Sequence, residues 1–315
     1  MNTSCDLSIV IVNYNTKDLL LDCLASIQEQ AGGLSVEVFV VDNASRDGSA
    51  DEVRRRFPRV QVIDQRENVG FSAANNIAIP LSRGRFVLLL NPDTVILEHA
   101  LERMVGYLTS HQAVGVVGPK TFDATRLPVR FANWRLTPLR YLVQPALVRM
   151  FGNIGDKDVD WVCGACLMIR REVIDRIGLL DTYMFGEDMD WCLRAKRAGW
   201  RVHHLASAHI IHYCGASAAA PELSPGRLFV TRQAKAYYIR KHNGPLSAFL
   251  FSAVLMFESI VKILILECNS RLGGRPSTRT IGKIQGYKRL MKAILADRLL
   301  QEDQKWWTYR VGENL

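Results

Sequence analysis

Five consecutive apolar residues, Phe86 to Leu90, run straight into Asn91-Pro92-Asp93. A run of that length suits a strand buried on both faces, as in a parallel sheet. Pro92 has no N–H to give to a sheet ladder, so the strand stops there and presents Asp93 at its carboxyl end. In an open α/β sheet that edge is where ligands bind. A carboxylate there is either a solvated loop residue or a ligand for a cation or a sugar, and the rest of the chain must decide.

The same design recurs upstream. Leu7 to Val12 and Val36 to Val41 are apolar runs ending in Asn13-Tyr14-Asn15-Thr16 and Asp42-Asn43-Ala44-Ser45. Between them Leu19, Leu20, Cys23, Leu24 and Ile27 recur at helical spacing. The spacing further predicts helices over 51–57, 73–81, 98–110, 171–177 and 193–197, with strands over 60–63, 114–117, 161–169, 200–205 and 208–212. Strands alternating with helices argue a parallel sheet of right-handed βαβ units. Neither a GxGxxG after the first strand nor a P-loop is present, so the shared polar crevice works with carboxylates and amides rather than a glycine-rich phosphate cradle. Residues 120–158, rich in Arg, Pro and aromatics, read as a surface loop or lid.

At 315 residues, 48% apolar and 23% charged, the chain suits one large domain with an appendage. Its seven scattered cysteines suit a reducing compartment. Cys163-Gly-Ala-Cys166 has zinc or redox spacing, but no second CxxC follows, and buried structural thiols are the favoured reading. The N-terminus carries no basic stretch followed by a long apolar one, which places the expected location on the cytoplasmic side. The net charge of +9 is concentrated after residue 225 and points to an anionic partner or to a solvated basic face. No DNA- or RNA-binding module accompanies it, so nucleic acid is not an expected partner.

Several segments then fall into one register. Ser8-Ile9-Val10-Ile11-Val12-Asn13-Tyr14-Asn15, Val41-Asp42-Asn43-Ala44-Ser45, Asn68-Val69-Gly70-Phe71-Ser72-Ala73-Ala74-Asn75-Asn76 and Leu89-Leu90-Asn91-Pro92-Asp93 come in series. Trp161-Val162-Cys163-Gly164-Ala165, Gly186-Glu187-Asp188-Met189-Asp190-Trp191-Cys192-Leu193-Arg194 and His212-Tyr213-Cys214-Gly215-Ala216-Ser217 follow. Over residues 7 to 217 this order and spacing resembles the family 2 inverting glycosyltransferases of GT-A fold, and within them the bacterial rhamnosyltransferase branch of cell-surface polysaccharide synthesis.

The resemblance implies an α/β GT-A domain over 1–225 with a mostly parallel central sheet. Its nucleotide-binding half would be about 1–118 and its acceptor half about 119–225, followed by a helical, basic region over 226–315. It implies transfer of a sugar from a nucleotide-sugar donor, with dTDP-L-rhamnose as the candidate, to a lipid-linked or polysaccharide acceptor. A divalent cation, Mg²⁺ or Mn²⁺, neutralises the leaving diphosphate in such enzymes. Asp93 stands at the metal-holding position of the family's DxD motif, while the other acidic position is Asn91, so one carboxylate is left for the ion. His212 matches the position that completes the coordination. Asp42 matches the residue that hydrogen-bonds the pyrimidine or ribose. Asn13, Asn15, Asn68, Gly70, Asn75, Asn91 and Glu187 are expected at the nucleotide-sugar site, although Gly70 could serve only a turn needing positive φ. Asp188 matches the catalytic base, at a helix start that favours its ionised form. Asp190 reads as a capping acid with Arg194 as its i,i+4 partner.

Leu246 to Leu266 is long and apolar enough to cross a bilayer. Glu258 and Lys262 near its middle, as an i,i+4 pair, and basic residues on both flanks argue against spanning. A helix lying on an anionic cytoplasmic membrane face, peripheral or monotopic, is the favoured reading; a spanning helix and a homo-oligomer interface are the others. The incomplete metal motif also motivates a rival from another class, a catalytically inactive scaffold that binds a nucleotide-sugar or a glycan.

Overall fold

The computed structural model describes residues 5–129, 134–143, 155–182, 185–213, 225–273 and 278–296. The chain divides into two compact units. One comprises Met1–Arg135, Ala146–Thr182 and Glu187–Ser217; the other comprises Leu136–Pro145, Tyr183–Gly186 and Ala218–Leu315.

The first unit is built on a sheet. Strands β1 (Leu7–Asn13), β2 (Val36–Asp42), β3 (Gln61–Asp64) and β4 (Phe86–Leu90) are mutually parallel in the spatial order β3-β2-β1-β4. Helices α1 (Lys17–Gln30), α2 (Ser49–Arg56) and α3 (Phe71–Ala78) make the crossovers, as the alternating sequence pattern predicts. Beyond β4 the sheet is mixed. After β5 (Thr94–Ile96), α4 (Ala100–Ser110), β6 (Val114–Phe122) and β7 (Lys157–Asp158), strand β8 (Cys166–Arg170) runs antiparallel to both β4 and β6. Helices α5 (Arg171–Ile177) and α6 (Glu187–Arg197) lead to β9 (Arg201–His212), which is parallel to β6 and antiparallel to β5 and β7.

Both faces of the sheet are covered, which explains the unbroken apolar runs. Leu7, Ile9 and Ile11 of β1 with Leu88 and Leu90 of β4 meet α1 and α4 through Leu20, Leu24, Leu101 and Met104. Val10, Val12, Val87 and Leu89 point the other way and join Ala74, Ala78, Val173, Trp191 and Cys192 from α3, α5 and α6. Each fully buried Leu or Val here stabilises the fold by ~1.5–3 kcal/mol relative to exposure.

Four segments differ from their sequence patterns. The apolar stretch at 161–169 becomes a strand only from Cys166, because Trp161 to Ala165 form the connection that enters β8. The patterns at 200–205 and 208–212 join into the single strand β9, whose pairing with β6 shifts register at Pro119/Lys120 instead of breaking. The 120–158 stretch read as a loop contributes the end of β6 and all of β7, while residues 130–133 and 144–154 lie outside the described residues. Strands β5 and β7, three and two residues long, are too short to show a period. The CxxC pair carries free thiols: Cys166 is buried, and burial raises its pKa far above the ordinary thiol range, which makes it inert.

Among its described residues the second unit carries the long helices α7 (Pro225–Asn243), α8 (Pro245–Gly273) and α9 (Thr278–Leu295), besides a helical stretch at 138–143. Glu258 of α8 does not turn to Lys262. Its carboxylate accepts from Arg232 Nη2 at 2.9 Å and from the Tyr141 hydroxyl at 2.6 Å, since a half-buried acid is better satisfied by a guanidinium and a phenol than by a solvent-facing ammonium.

Candidate active site

The carboxyl ends of β1 and β2 are tied by one buried network. The Asn13 amide donates to Asp42 Oδ1 at 2.9 Å and to Ser49 Oγ at 2.7 Å. Ser49 Oγ donates to the same carboxylate oxygen at 3.2 Å, and the Ser45 N–H donates to Asp42 Oδ2 at 3.0 Å. Asn15, in a left-handed conformation with φ 54°, receives the Arg46 N–H at 2.7 Å and so braces the same turn. Asp42 is thus almost wholly enclosed, and its orientation is set before any ligand arrives.

A second network holds the turn before α3. Asn68 Oδ1 accepts from the Asn43 amide at 2.8 Å and from the Gly70 N–H at 2.9 Å, while Asn43 Oδ1 accepts the Val69 N–H at 2.9 Å. Gly70 has φ 84° and ψ 169°, so the glycine is required by the backbone as well as placed at this edge. Asn75 is fully buried; its amide donates to the Phe71 carbonyl at 2.9 Å, and its Oδ1 has no protein partner among the described residues.

The Asn91-Pro92-Asp93 turn closes the edge of β4. Thr94 Oγ1 donates to the Asn91 carbonyl at 2.6 Å, and the Tyr213 N–H donates to the Asp93 carbonyl at 3.0 Å. Asp93 is fully buried. Strand β5 pairs Thr94 with His212 of β9, and this short strand delivers the imidazole. His212 Nε2 lies 3.2 Å from Asp93 Oδ1 and 3.4 Å from the Asn91 side-chain amide. Beneath the turn, burial pushes the Cys23 thiol up to about 12, so it stays protonated and reaches the Asn91 carbonyl at 3.7 Å.

The connection into β8 joins this turn to α6. The Asn91 N–H donates to the Ala165 carbonyl at 2.9 Å. The neighbouring Gly164 N–H donates to Asp188 Oδ2 at 3.0 Å, and the Met189 N–H to Asp188 Oδ1 at 2.8 Å. Burial pushes the Asp188 carboxyl above the usual carboxylate range, and these two N–H bonds only partly offset it. The helix start alone would have lowered it, so desolvation outweighs the dipole here. Glu187 occupies the same first turn. Asp190 is fully buried and forms the expected i,i+4 pair, with Arg194 Nε at 2.7 Å.

Residues 8–178 match the sequence model of Glycosyl transferase family 2. The chain belongs to that family. This family 2 glycosyltransferase is 30% identical over 222 residues to the low-salt glycan biosynthesis hexosyltransferase Agl10 of Haloferax volcanii, a match covering 66% of this chain and 67% of that one. It is 24% identical over 237 residues to the N-acetylglucosaminyl-diphospho-decaprenol L-rhamnosyltransferase of Mycobacterium tuberculosis, covering 66% and 76%. The GT-A fold is shared with the mannosyltransferase PcManGT from Pyrobaculum calidifontis, solved with GDP-Man and Mn²⁺, at TM-score 0.57 and 18% identity over 94% of this chain and 88% of that one. It is shared as well with S. aureus TarS 1–349, solved with UDP-GlcNAc, at TM-score 0.54 and 16% identity over 93% and 92%.

Sequence reasoning passed over Asn43, Ser45, Ser49 and Asn76 as site residues. The Asn76 amide donates to the Leu180 carbonyl at 2.8 Å, and its Oδ1 accepts the Leu180 N–H at 3.0 Å, clamping the segment between α5 and α6. Asp-Asn-Ala-Ser after a strand was a readable signal for local Asx-type turns; the Asn76 contact had none. A shallow cavity of about 370 Å³ lined by Arg85, Gln112, Arg170, Arg171, Glu172 and Asp175 sits at the amino end of β4, opposite the ligand edge.

Proposed function

We propose that this glycosyltransferase inverts the anomeric centre of a nucleotide-activated sugar as it moves the sugar to a lipid-linked or polysaccharide acceptor. The observation that carries the reading is the Gly164-Ala165 pair, in which the Gly164 N–H donates to the Asp188 carboxylate and the Ala165 carbonyl accepts the Asn91 N–H. Donor-end and acceptor-end machinery are thereby held in one frame.

Asp93 and His212, with the Asn91 amide beside them, form an oxygen and nitrogen donor set that fits a divalent cation, and a fully buried carboxylate oxygen facing an imidazole suits that role. Among the described residues no third His, Cys, Asp or Glu joins them, so the remaining ligands are donor phosphates and water. Bound there, Mg²⁺ or Mn²⁺ would neutralise the departing nucleoside diphosphate. Asp42, oriented by Asn13, Ser45 and Ser49, reads the pyrimidine or ribose, while Asn15, Asn68, Gly70, Asn75 and Glu187 shape the donor site. Asp188 takes the proton from the acceptor hydroxyl as that oxygen bonds to C1 and the C1–diphosphate bond breaks with its electron pair. In this reading 1–118 handles the donor and 119–225 the acceptor.

dTDP-L-rhamnose is the donor proposed, in line with the rhamnosyltransferase relative, which is named for the lipid-linked sugar N-acetylglucosaminyl-diphospho-decaprenol. A lipid-linked acceptor sets the work at the cytoplasmic membrane face, with 226–315 as the membrane-associating region. The test is a panel of purified nucleotide-sugars with and without Mn²⁺, followed by product analysis. Cation-dependent release of nucleoside diphosphate from dTDP-L-rhamnose supports the assignment, and release from another donor only reassigns the sugar. Silence across the panel favours an inactive nucleotide-sugar or glycan-binding scaffold.

A further inference from the structure

Helix α8 has two unlike faces. Ala248, Phe251, Leu255 and Ser259 recur at helical spacing and are fully buried against the rest of the helical unit, with the Phe251 ring edge-on to Tyr141 at 5.0 Å. On the outer side Leu246, Phe249, Leu250, Phe257, Ile260 and Leu264 form a continuous apolar stripe; Phe249 is 70% exposed and Phe257 66%. An isolated exposed leucine needs no explanation, but a stripe running five turns of one helix does.

Charge distribution says what covers it. Glu258, the one acid between Pro245 and Leu266, is drawn inward by Arg232 and Tyr141, which removes negative charge from the outer face. Lys262 is exposed, and its long stem lets the ammonium climb to a polar boundary. From residue 225 to 296 thirteen Lys and Arg stand against two acids, Glu258 and Glu267. We propose that α8 lies in the plane of an anionic lipid surface, with its Leu246–Leu264 stripe in the acyl boundary and the basic side chains of α7 to α9 on the headgroups.

Spanning is disfavoured by the packing. Helices α7 and α9 lie against α8 and carry Arg232, Lys235, Arg240, Lys241, Lys288 and Lys292, so threading α8 through hydrocarbon would drag that charge with it. A second copy of this chain is a poorer occupant, because facing stripes would bring two strongly basic rims together. The surface deepens the membrane setting proposed above, yet it is argued from the helices alone.

The test is flotation of the full chain with vesicles of phosphatidylcholine and of phosphatidylcholine mixed with phosphatidylglycerol. The expected result is recovery with the anionic vesicles, at least ~10-fold less with the neutral ones, and release in high salt or alkaline carbonate. Phe249→Glu/Phe257→Glu should lower recovery by at least ~10-fold with an unchanged circular dichroism spectrum, and the milder Phe249→Ser/Phe257→Ser serves if the first variant misfolds. Wild-type recovery in a folded variant overturns the proposal, as does resistance to carbonate. A sedimentation shift from dimer to monomer in the variant, without vesicle binding by either protein, also overturns it in favour of a second copy. Flotation reads no sugar chemistry, so an inactive chain that floats removes only the enzymatic reading.

Discussion

The imidazole Nε2 of His212 lies 3.2 Å from Oδ1 of Asp93, at the meeting of β9 and the turn that ends β4. In the proposed site, with Asn91 in the other acidic position, these two side chains would carry the protein's share of cation binding. Asp93→Asn is expected to raise the Mn²⁺ concentration for half-maximal turnover by at least ~100-fold, the upper end for groups that only support a ligand. His212→Ala should raise it by ~10–100-fold while leaving turnover at saturating Mn²⁺ closer to wild type. Titration of activity against Mn²⁺ checks both, and unchanged curves would remove the pair from the metal site.

Asp188 should respond to pH. A base must be ionised to work, and burial raises this carboxyl above the usual range, so kcat/KM should fall as pH drops through that raised value, well before an ordinary aspartate would titrate. Asp188→Asn should cut turnover by at least ~100-fold and remove this acidic limb from the residual rate. A limb retained in the variant assigns it to another group.

Asn76 clamps Leu180 through both its amide groups, and Arg194 holds the Ile177 and Leu179 carbonyls of the same segment at 2.6 and 2.8 Å. Asn76→Ala leaves two backbone groups without partners, and ~1–3 kcal/mol of stability should be lost. Denaturant unfolding measures it. Asn76→Gln, too long for the same bidentate fit, should recover little.

His204 is buried on β9, and burial, aided by Lys157, lowers its pKa to about 4. The unfolded chain takes up a proton near pH 6.5 and the folded one does not, so stability present above 6.5 is lost as pH falls from there towards 4. The loss should reach about 2–3 kcal/mol between pH 7 and pH 4. His204→Phe should flatten that slope in urea unfolding measured across the interval.

Much of this layout was legible in the residues. Phe86–Asp93 announced its strand, its stop and the carboxylate at its end, because five buried positions followed by a proline admit few other folds. Asp42 likewise follows an apolar run, whereas Asn68 and Asp188 are reached only through the resemblance to the family. What could not be read depends on partners distant in sequence. Asn76 meets Leu180 across 104 positions, and β5, which brings His212 to Asp93, is three residues long. Glu258 looked like half of a local pair with Lys262, whereas its partners Arg232 and Tyr141 lie on other segments.

The adjacent residues Gly164 and Ala165, one bonded to the Asp188 carboxylate and the other to the Asn91 N–H, have a consequence for how such an enzyme diverges. The β2 turn shares its network with β1 and the turn before α3 rather than with the Asp188 helix, so in the proposed reading substitutions around Asp42 would retune nucleotide choice without disturbing the reaction centre. The entry to β8 has no such freedom. A residue inserted there would displace the Asn91 turn and the Asp188 carboxylate together, so new sugar specificities should accumulate at the other strand ends while this short connector keeps its length.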